Sequence, residues 1–160
     1  MGESTTIVHA LLTIAALLLA AIFAVTVLGR LGFLQSTLSD LIRSKTEIIQ
    51  TNVKIVSGFY NESEDAYVIY VKNIGNRPIT QQMLNNTDIY LGTYGAEVKL
   101  YRYGDGSVGT WTATDLNGDG IWSSGETLII KVYTGSEVQS PVYVKIVLPT
   151  GFIDEEIIVG

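Results

Sequence analysis

The sequence predicts an α+β protein. A long N-terminal hydrophobic α-helix takes residues 1–50, and an all-β head of the immunoglobulin-like β-sandwich kind takes residues 51–160. Three observations predict it. No Asp, Glu, Lys or Arg occurs from Ser4 to Gly29. Apolar residues then recur at helical spacing as far as Ile49. After Asn52 the period shortens to that of strands, and Gly, Asn and Asp clusters interrupt the chain.

Ile7 to Gly29 supplies the roughly 20 apolar residues that a helix needs to cross a bilayer core. A secretory signal would open on basic residues, run a shorter apolar core and close on a small-residue cleavage site. Met1 to Thr6 holds no Lys or Arg, and no cleavage box follows Gly29. A retained helix is therefore expected. Leu31, Leu34, Leu38, Leu41, Ile42, Ile48 and Ile49 extend it at steps of three, four or seven, with polar residues between them. That is the pattern of an amphipathic helix. No Pro interrupts it, although Gly29 and Gly32 are places for a bend. A continuous helix to residue 50 would measure roughly 75 Å at about 1.5 Å per residue.

Eight short runs follow: "VKIVSGFY", "AYVIYVKN", "TDIYL", "EVKLYRY", "TWTAT", "TLIIKVY", "VYVKIVL" and "FIDEEIIV". They are rich in Val, Ile, Tyr and Thr and are parted by turn-forming clusters, as in an antiparallel sandwich or barrel. "EVKLYRY" puts Val98 and Leu100 on one face and Lys99 and Tyr101 on the other, the alternation of a half-buried strand. "TLIIKVY" is apolar on both faces at Ile129 and Ile130, which predicts a central strand.

Composition removes several classes of function. The chain has 160 residues, room for one globular domain and one further element. It carries no Cys, which excludes disulfides, thiolate metal sites and Cys nucleophiles. With a net charge of -6 and no basic patch, nucleic acid is not an expected partner. The one His, His9, lies in the apolar helix, so the head has no Ser-His-Asp set. No Gly-rich phosphate loop and no H-E-x-x-H is present. Neither catalytic residues nor a small-molecule substrate is expected.

One loop carries chemistry. In "DLNGDGIWSSGE", Asp115, Asn117, Asp119, Gly120 and Glu126 match D-x-[DN]-x-[DN]-G-x5-E at every specified position. Oxygens at alternate residues converge inside a turning backbone, Gly allows the sharp turn, and the late Glu closes the sphere. Ile121 would add its carbonyl, and Ser123 stands where a water-mediated ligand falls. The pattern predicts a structural Ca2+, here between strands. The competing reading is a turn in which Asn and Asp bond their own backbone. Asn61-Glu62-Ser63 and Asn85-Asn86-Thr87 are glycosylation sequons in expected loops, a motif that is also common by chance. Glu3 precedes the apolar run. It reads either as a favourable charge at a helix N-terminus or as a partner for a neighbouring subunit's terminal amine.

The layout resembles the archaeal type IV pilin-like superfamily, above all the archaellum proteins: filament-forming archaellins and the accessory proteins of G and F type. The resemblance rests on "TEIIQTNVKIVSGFY…YVIYVKNIGNRPI", where Tyr70, Val71, Lys72, Asn73 and Gly75 form the "YVKN-x-G" that ends the family's second strand. "NGDG" also looks like loops in such heads. Archaellin precursors carry a basic leader ahead of the apolar run, and this chain shows none. The expectation is therefore either a mature sequence or one like the uncleaved accessory type. Arg30, Arg43 and Lys45 would draw the head into the cytoplasm, whereas the family plan puts it outside; the family plan is preferred.

The resemblance implies a structural subunit of an extracellular archaellum-like filament used in motility, a homo-oligomer with other archaellum or pilus components as partners. It would lie in the membrane before assembly. Ile7, Leu11, Leu18, Ile22 and Val25 would pack with copies of themselves in a dry core, and Leu31, Leu34 and Leu38 would continue it outward. The alternative is a membrane-anchored accessory protein, with the head outside the cell bound to a partner head or to the surface layer.

Overall fold

In the computed structural model, residues 2–115 and 117–159 are described, with side chains from Thr5 onward. The chain divides into two units, residues 1–43 and 44–160.

The described residues of the first unit are all helical. They belong to α1, Gly2–Gln50, which runs through Gly29 and Gly32 without a break. Residues of low helix propensity are accommodated locally. The hydroxyls of Thr13 and Thr26 donate to the carbonyls of His9 and Ile22, both at 2.8 Å. Leu11, Leu18 and Phe23 are 60–70% exposed, and no polar face relieves this part of the helix. A helix that is apolar all round needs lipid or other helices around it.

The second unit begins with the last turns of α1 and continues as β1 (Val53–Asn61), β2 (Ala66–Asn73), β3 (Ile79–Thr80), α2 (Gln81–Asn85), β4 (Asp88–Thr93), β5 (Val98–Tyr103) and β6 (Thr110–Asp115). It ends with β7 (Ile121–Trp122), β8 (Thr127–Tyr133), β9 (Val142–Val147) and β10 (Ile153–Ile158). All eight expected strands form, and the expected class, a long helix followed by an all-β head, is the class found.

Eight strands make one sheet in the order β1-β2-β8-β6-β5-β4-β9-β10, and β3 pairs with β7 apart from it. The joint between β6 and β5 is short and parallel, with Arg102 opposite Thr110 and Tyr103 opposite Trp111. The other pairings in this sheet are antiparallel. Two four-stranded halves thus meet at a narrow hinge and enclose one core, which draws Ile69, Trp111 and Ile130 from one half and Ile89, Leu91 and Val144 from the other. This packing is consistent with the expected two-layer sandwich.

β8 lies between β2 and β6 with Leu128, Ile130 and Val132 buried, the central position its sequence predicts. β5 departs from expectation. Val98 and Leu100 are exposed, and Tyr101 is the buried residue of the strand. Tyr103, on the same face, meets Trp111 edge to face with ring centroids 5.0 Å apart. Near the narrow hinge, large rings fill space that Val and Leu would leave open.

The outer edges of the sheet approach each other. β1 bulges between Ile55 and Ser57, and the Ile55 N–H donates to the Asp154 carboxylate on β10 at 2.7 Å. Lys54 bridges to Glu156 at 2.8 Å and to Asp154 at 3.4 Å. Side chains thus close the seam between β1 and β10, which among the described residues share no backbone ladder.

Candidate functional site: helix, neck and loop

The apolar residues singled out on α1 do not form a single stripe. At about 100° per residue, Ile7, Leu11, Leu18, Ile22 and Val25 share one face. Leu31, Leu34 and Leu38 share roughly the opposite one. Both sets are exposed. Glu3, the remaining residue of this group, has a side chain outside the described residues.

The end of α1 is anchored by the segment that leaves β2. The Gln50 carbonyl, one of the groups a helix C-terminus leaves unbonded, accepts the N–H groups of Asn76 at 3.0 Å and Arg77 at 3.2 Å. The Asn52 carbonyl accepts those of Ile74 at 2.9 Å and Gly75 at 2.8 Å. Arg77 also pairs with Glu47 at 3.5 Å, half exposed and so of small energetic weight. Nearby, the Thr51 hydroxyl donates to the Glu47 carbonyl at 2.7 Å.

Asn73 organises this neck from a fully buried position. Its side-chain amide donates to the carbonyls of Arg77 at 3.0 Å and Trp122 at 2.9 Å. Its Oδ1 accepts the Gly75 N–H at 3.0 Å. Its backbone N–H donates to the Glu126 carbonyl at 2.8 Å, and its carbonyl accepts the Gly125 N–H at 2.7 Å. Ser124 adds a bond from its hydroxyl to the Gly75 carbonyl. Two segments distant in sequence, 73–77 and 122–126, are thereby locked together beneath the helix end.

The second segment closes the Asp115–Glu126 loop. Asp115, Asn117, Asp119 and Glu126 do come together. Asp115 accepts the Gly120 N–H at 3.2 Å, and Asn117 Oδ1 accepts the Asp119 N–H at 3.0 Å. Asp119 accepts the Ile121 N–H at 2.8 Å, and Glu126 accepts the Ser123 N–H at 2.7 Å. The Asn117 amide also donates to both Asp119 and Glu126. Gly118 and Gly120 adopt φ of +74° and +76°, values that favour Gly. Ile121 lies in β7 opposite Thr80.

The loop's donors are all hard oxygens, chemistry that suits Ca2+ better than a transition metal. Among the described residues no three His, Asp or Glu side chains form a ready donor group. The Asn117 amide links the two carboxylates instead.

The sequon asparagines stand apart from both features. Asn61 ends β1 and accepts the Ser63 N–H at 3.1 Å. Asn85 ends α2, exposed, and accepts from the Gln81 amide at 3.0 Å.

The neck residues Asn73 and Gly75 were visible in the sequence only as part of "YVKN-x-G", with no role attached. Trp122 and Ser124 sat inside the loop motif as unassigned positions. A signal did exist. An Asn that ends an apolar strand ahead of a Gly is poorly placed for a strand and well placed to bond a turning backbone.

The comparisons with known proteins agree with this plan. The family model of archaeal-type flagellin matches residues 2–154, which takes in both helix and head. None of the curated proteins matches. The archaellum periplasmic stator protein FlaG from Sulfolobus acidocaldarius is similar in structure, with a TM-score of 0.55 and 27% identity over 67% of this chain and 98% of that one. The archaellum periplasmic stator protein complex FlaF and FlaG from the same organism gives the same score and identity, over 67% of this chain and 88% of that one. By a match that runs through nearly its whole length, the chain belongs to the archaeal-type flagellin family.

Proposed function

We propose that the chain is a membrane-anchored accessory component of an archaellum, with α1 held in the bilayer and the head outside the cell as a stator-type module. The observation that carries this reading is the similarity of the chain to a solved stator protein, 98% of which it covers. The exposed, uncharged stretch from Thr5 to Gly29 of α1 supports it, since such a helix is stable within a bilayer without any copy beside it. The head would engage another archaellum component, as the solved neighbour is found with a second stator protein. The mechanism is mechanical. The neck of Asn73, Gly75 and Gln50 would pass load between the helix end and the sheet.

The filament-subunit reading is second. It is favoured by the family model, which spans helix and head alike. Fractionation of the native cells separates the two. A stator component is expected in washed membranes and absent from sheared filaments, by mass spectrometry of both fractions. Recovery as the main filament band would overturn the stator reading.

We also propose a structural Ca2+ in the loop, held by Asp115, Asn117, Asp119 and Glu126 with the Ile121 carbonyl. The support is the donor spacing and the two Gly turns. The ion would stiffen the neck through residues 122–126. Glycans on Asn61 and Asn85 are proposed on the sequons and on the placement of both residues at the ends of their elements; the mass of the native chain tests them.

A further inference from the structure

A cavity of about 280 Å³ opens where β1 runs out toward Asn61, at the end of the strand remote from the neck. The rings of Phe59, Tyr60 and Tyr67 line it, together with the exposed Glu62 and Glu137. Its volume equals that of about nine waters at about 30 Å³ each. It falls just below the range of about 300–1,000 Å³ for drug-sized ligands. It has room for one side chain. Both tyrosine hydroxyls are already engaged. Tyr60 donates to Asp65 at 3.1 Å, and Tyr67 donates to the Val138 carbonyl at 3.1 Å. The two rings stand 5.4 Å apart, tilted by 47°. Ring surfaces and carboxylates are what the cavity offers a guest.

The carboxylates have no cation of their own. Among the described residues neither Glu62 nor Glu137 makes a hydrogen bond or an ion pair, and Lys131 on β8 is taken by Glu64 at 2.7 Å. Their charges reach the phenols. Burial first, then the Glu137 charge, holds Tyr67 above its usual range, and Tyr60 is raised by burial, by Asp65 and then by Glu137 and Glu62. A second cavity, of about 270 Å³ beside Tyr94 and Tyr143, shows the satisfied counterpart. There Glu155 accepts the Tyr143 hydroxyl, and Glu156 pairs with Lys54.

Two unpaired carboxylates beside aromatic rings attract a cation, by Coulomb force and through the ring quadrupole. Arg and Lys fit such a place, since an apolar stem can pack on the rings while the charged end meets the carboxylates. A second copy of this chain, of net charge -6, would approach with like charge, whereas a basic partner is drawn in. We infer that the Tyr60–Glu137 cavity receives a single Arg or Lys side chain from a different, basic protein. The inference goes beyond the membrane-anchored reading and holds equally for a filament subunit.

The test uses the full chain in detergent micelles, with isotope-labelled tyrosines followed by nuclear magnetic resonance. The probes are N-acetyl-arginine amide and N-acetyl-lysine amide. Each should shift the Tyr60 and Tyr67 ring signals saturably at roughly millimolar concentration. Their neutral isosteres, N-acetyl-citrulline amide and N-acetyl-norleucine amide, should leave those signals in place. Glu62→Gln combined with Glu137→Gln, both at exposed positions, should weaken binding roughly ten-fold. Asp88→Asn should not, since Asp88 lies opposite Val147, at the other end of β9 from the cavity-lining Val142. No shift with either cation, equal shifts with the isosteres or with N-acetylglucosamine, or full binding by the double variant would overturn the inference. Spermidine bound about ten times more tightly than either amide would make the cavity a site for free amines and overturn the assignment to a protein side chain.

Discussion

Gly75 lies so close beneath Gln50 that a Cβ on it would collide with the Gln50 carbonyl oxygen and stand 2.6 Å from the Asn52 nitrogen. Both obstacles are backbone, which cannot swing aside as a side chain can. Gly75→Ala should therefore push the helix end away and lower stability by about 1–3 kcal/mol, the range for overpacking. Thermal melting of the detergent-solubilised full chain checks this; an unchanged midpoint would mean that the neck yields freely.

Asn73→Ala removes both amide donors from the Arg77 and Trp122 carbonyls, while the Gly75 N–H keeps the Asn52 carbonyl as its acceptor. Buried groups left without partners cost about 1–3 kcal/mol each. Asn73→Asp keeps the acceptor and loses the donors, and it adds a buried charge. Both variants should melt well below the parent, the Asp variant at least as low as the Ala variant at neutral pH.

The seam between β1 and β10 should respond to acid. A hydrogen bond from Lys54, with its positive charge, holds the Glu156 carboxyl below the usual carboxylate range. A carboxyl whose pKa is depressed by folding contributes stability above its unfolded value, near about 4.3. That contribution is lost as pH falls through the lower folded value. Glu156→Gln should therefore narrow the stability difference between neutral pH and strongly acidic pH, as read from melting midpoints across the series. Identical pH profiles for parent and variant would leave the bridge without weight.

Tyr143 gives the opposite sign. Its hydroxyl donates to Glu155 at 2.6 Å, and this bond, with burial and the Glu155 charge, pushes its pKa up to about 12. Stability from this pair is complete below the unfolded value of about 10 and is lost as pH rises through the folded one. In ultraviolet titration of phenolate absorbance, Tyr143→Phe should remove a late-titrating component and leave the earlier ones in place.

Leu18→Asp tests the anchor. A carboxylate at the centre of a membrane helix costs about 2.5–3.5 kcal/mol on insertion scales. The variant should leave carbonate-washed membranes in much larger part than the parent. For the loop, Ca2+ should raise the melting midpoint of the full chain and chelator should lower it, with Asp119→Asn blunting the response. A midpoint indifferent to both would leave the loop as a hydrogen-bonded turn.

Much of this architecture was legible because period and punctuation survive in local sequence. The change from helical to strand spacing near Asn52 marked the end of α1, and all eight strands of the main sheet were visible as runs. β3 and β7, two residues each, are too short to show a period, and each lay within a stretch that read as a connection. The inward face of β5 was misread because Tyr101 and Tyr103 count as polar in an alternation while their rings supply core volume. The loop residues were legible as a motif. The neck was not, because Asn73 acquires its role only when residues 122–126 arrive from the far side of the fold.

The closure between β1 and β10 has a consequence for life at high density. An open strand edge invites another strand to add to it, and the addition can propagate from molecule to molecule. Here the two outer strands guard each other, with a bulge, a lysine and the carboxylates of Asp154 and Glu156 along the join. Heads crowded together can therefore touch often without seeding aggregation.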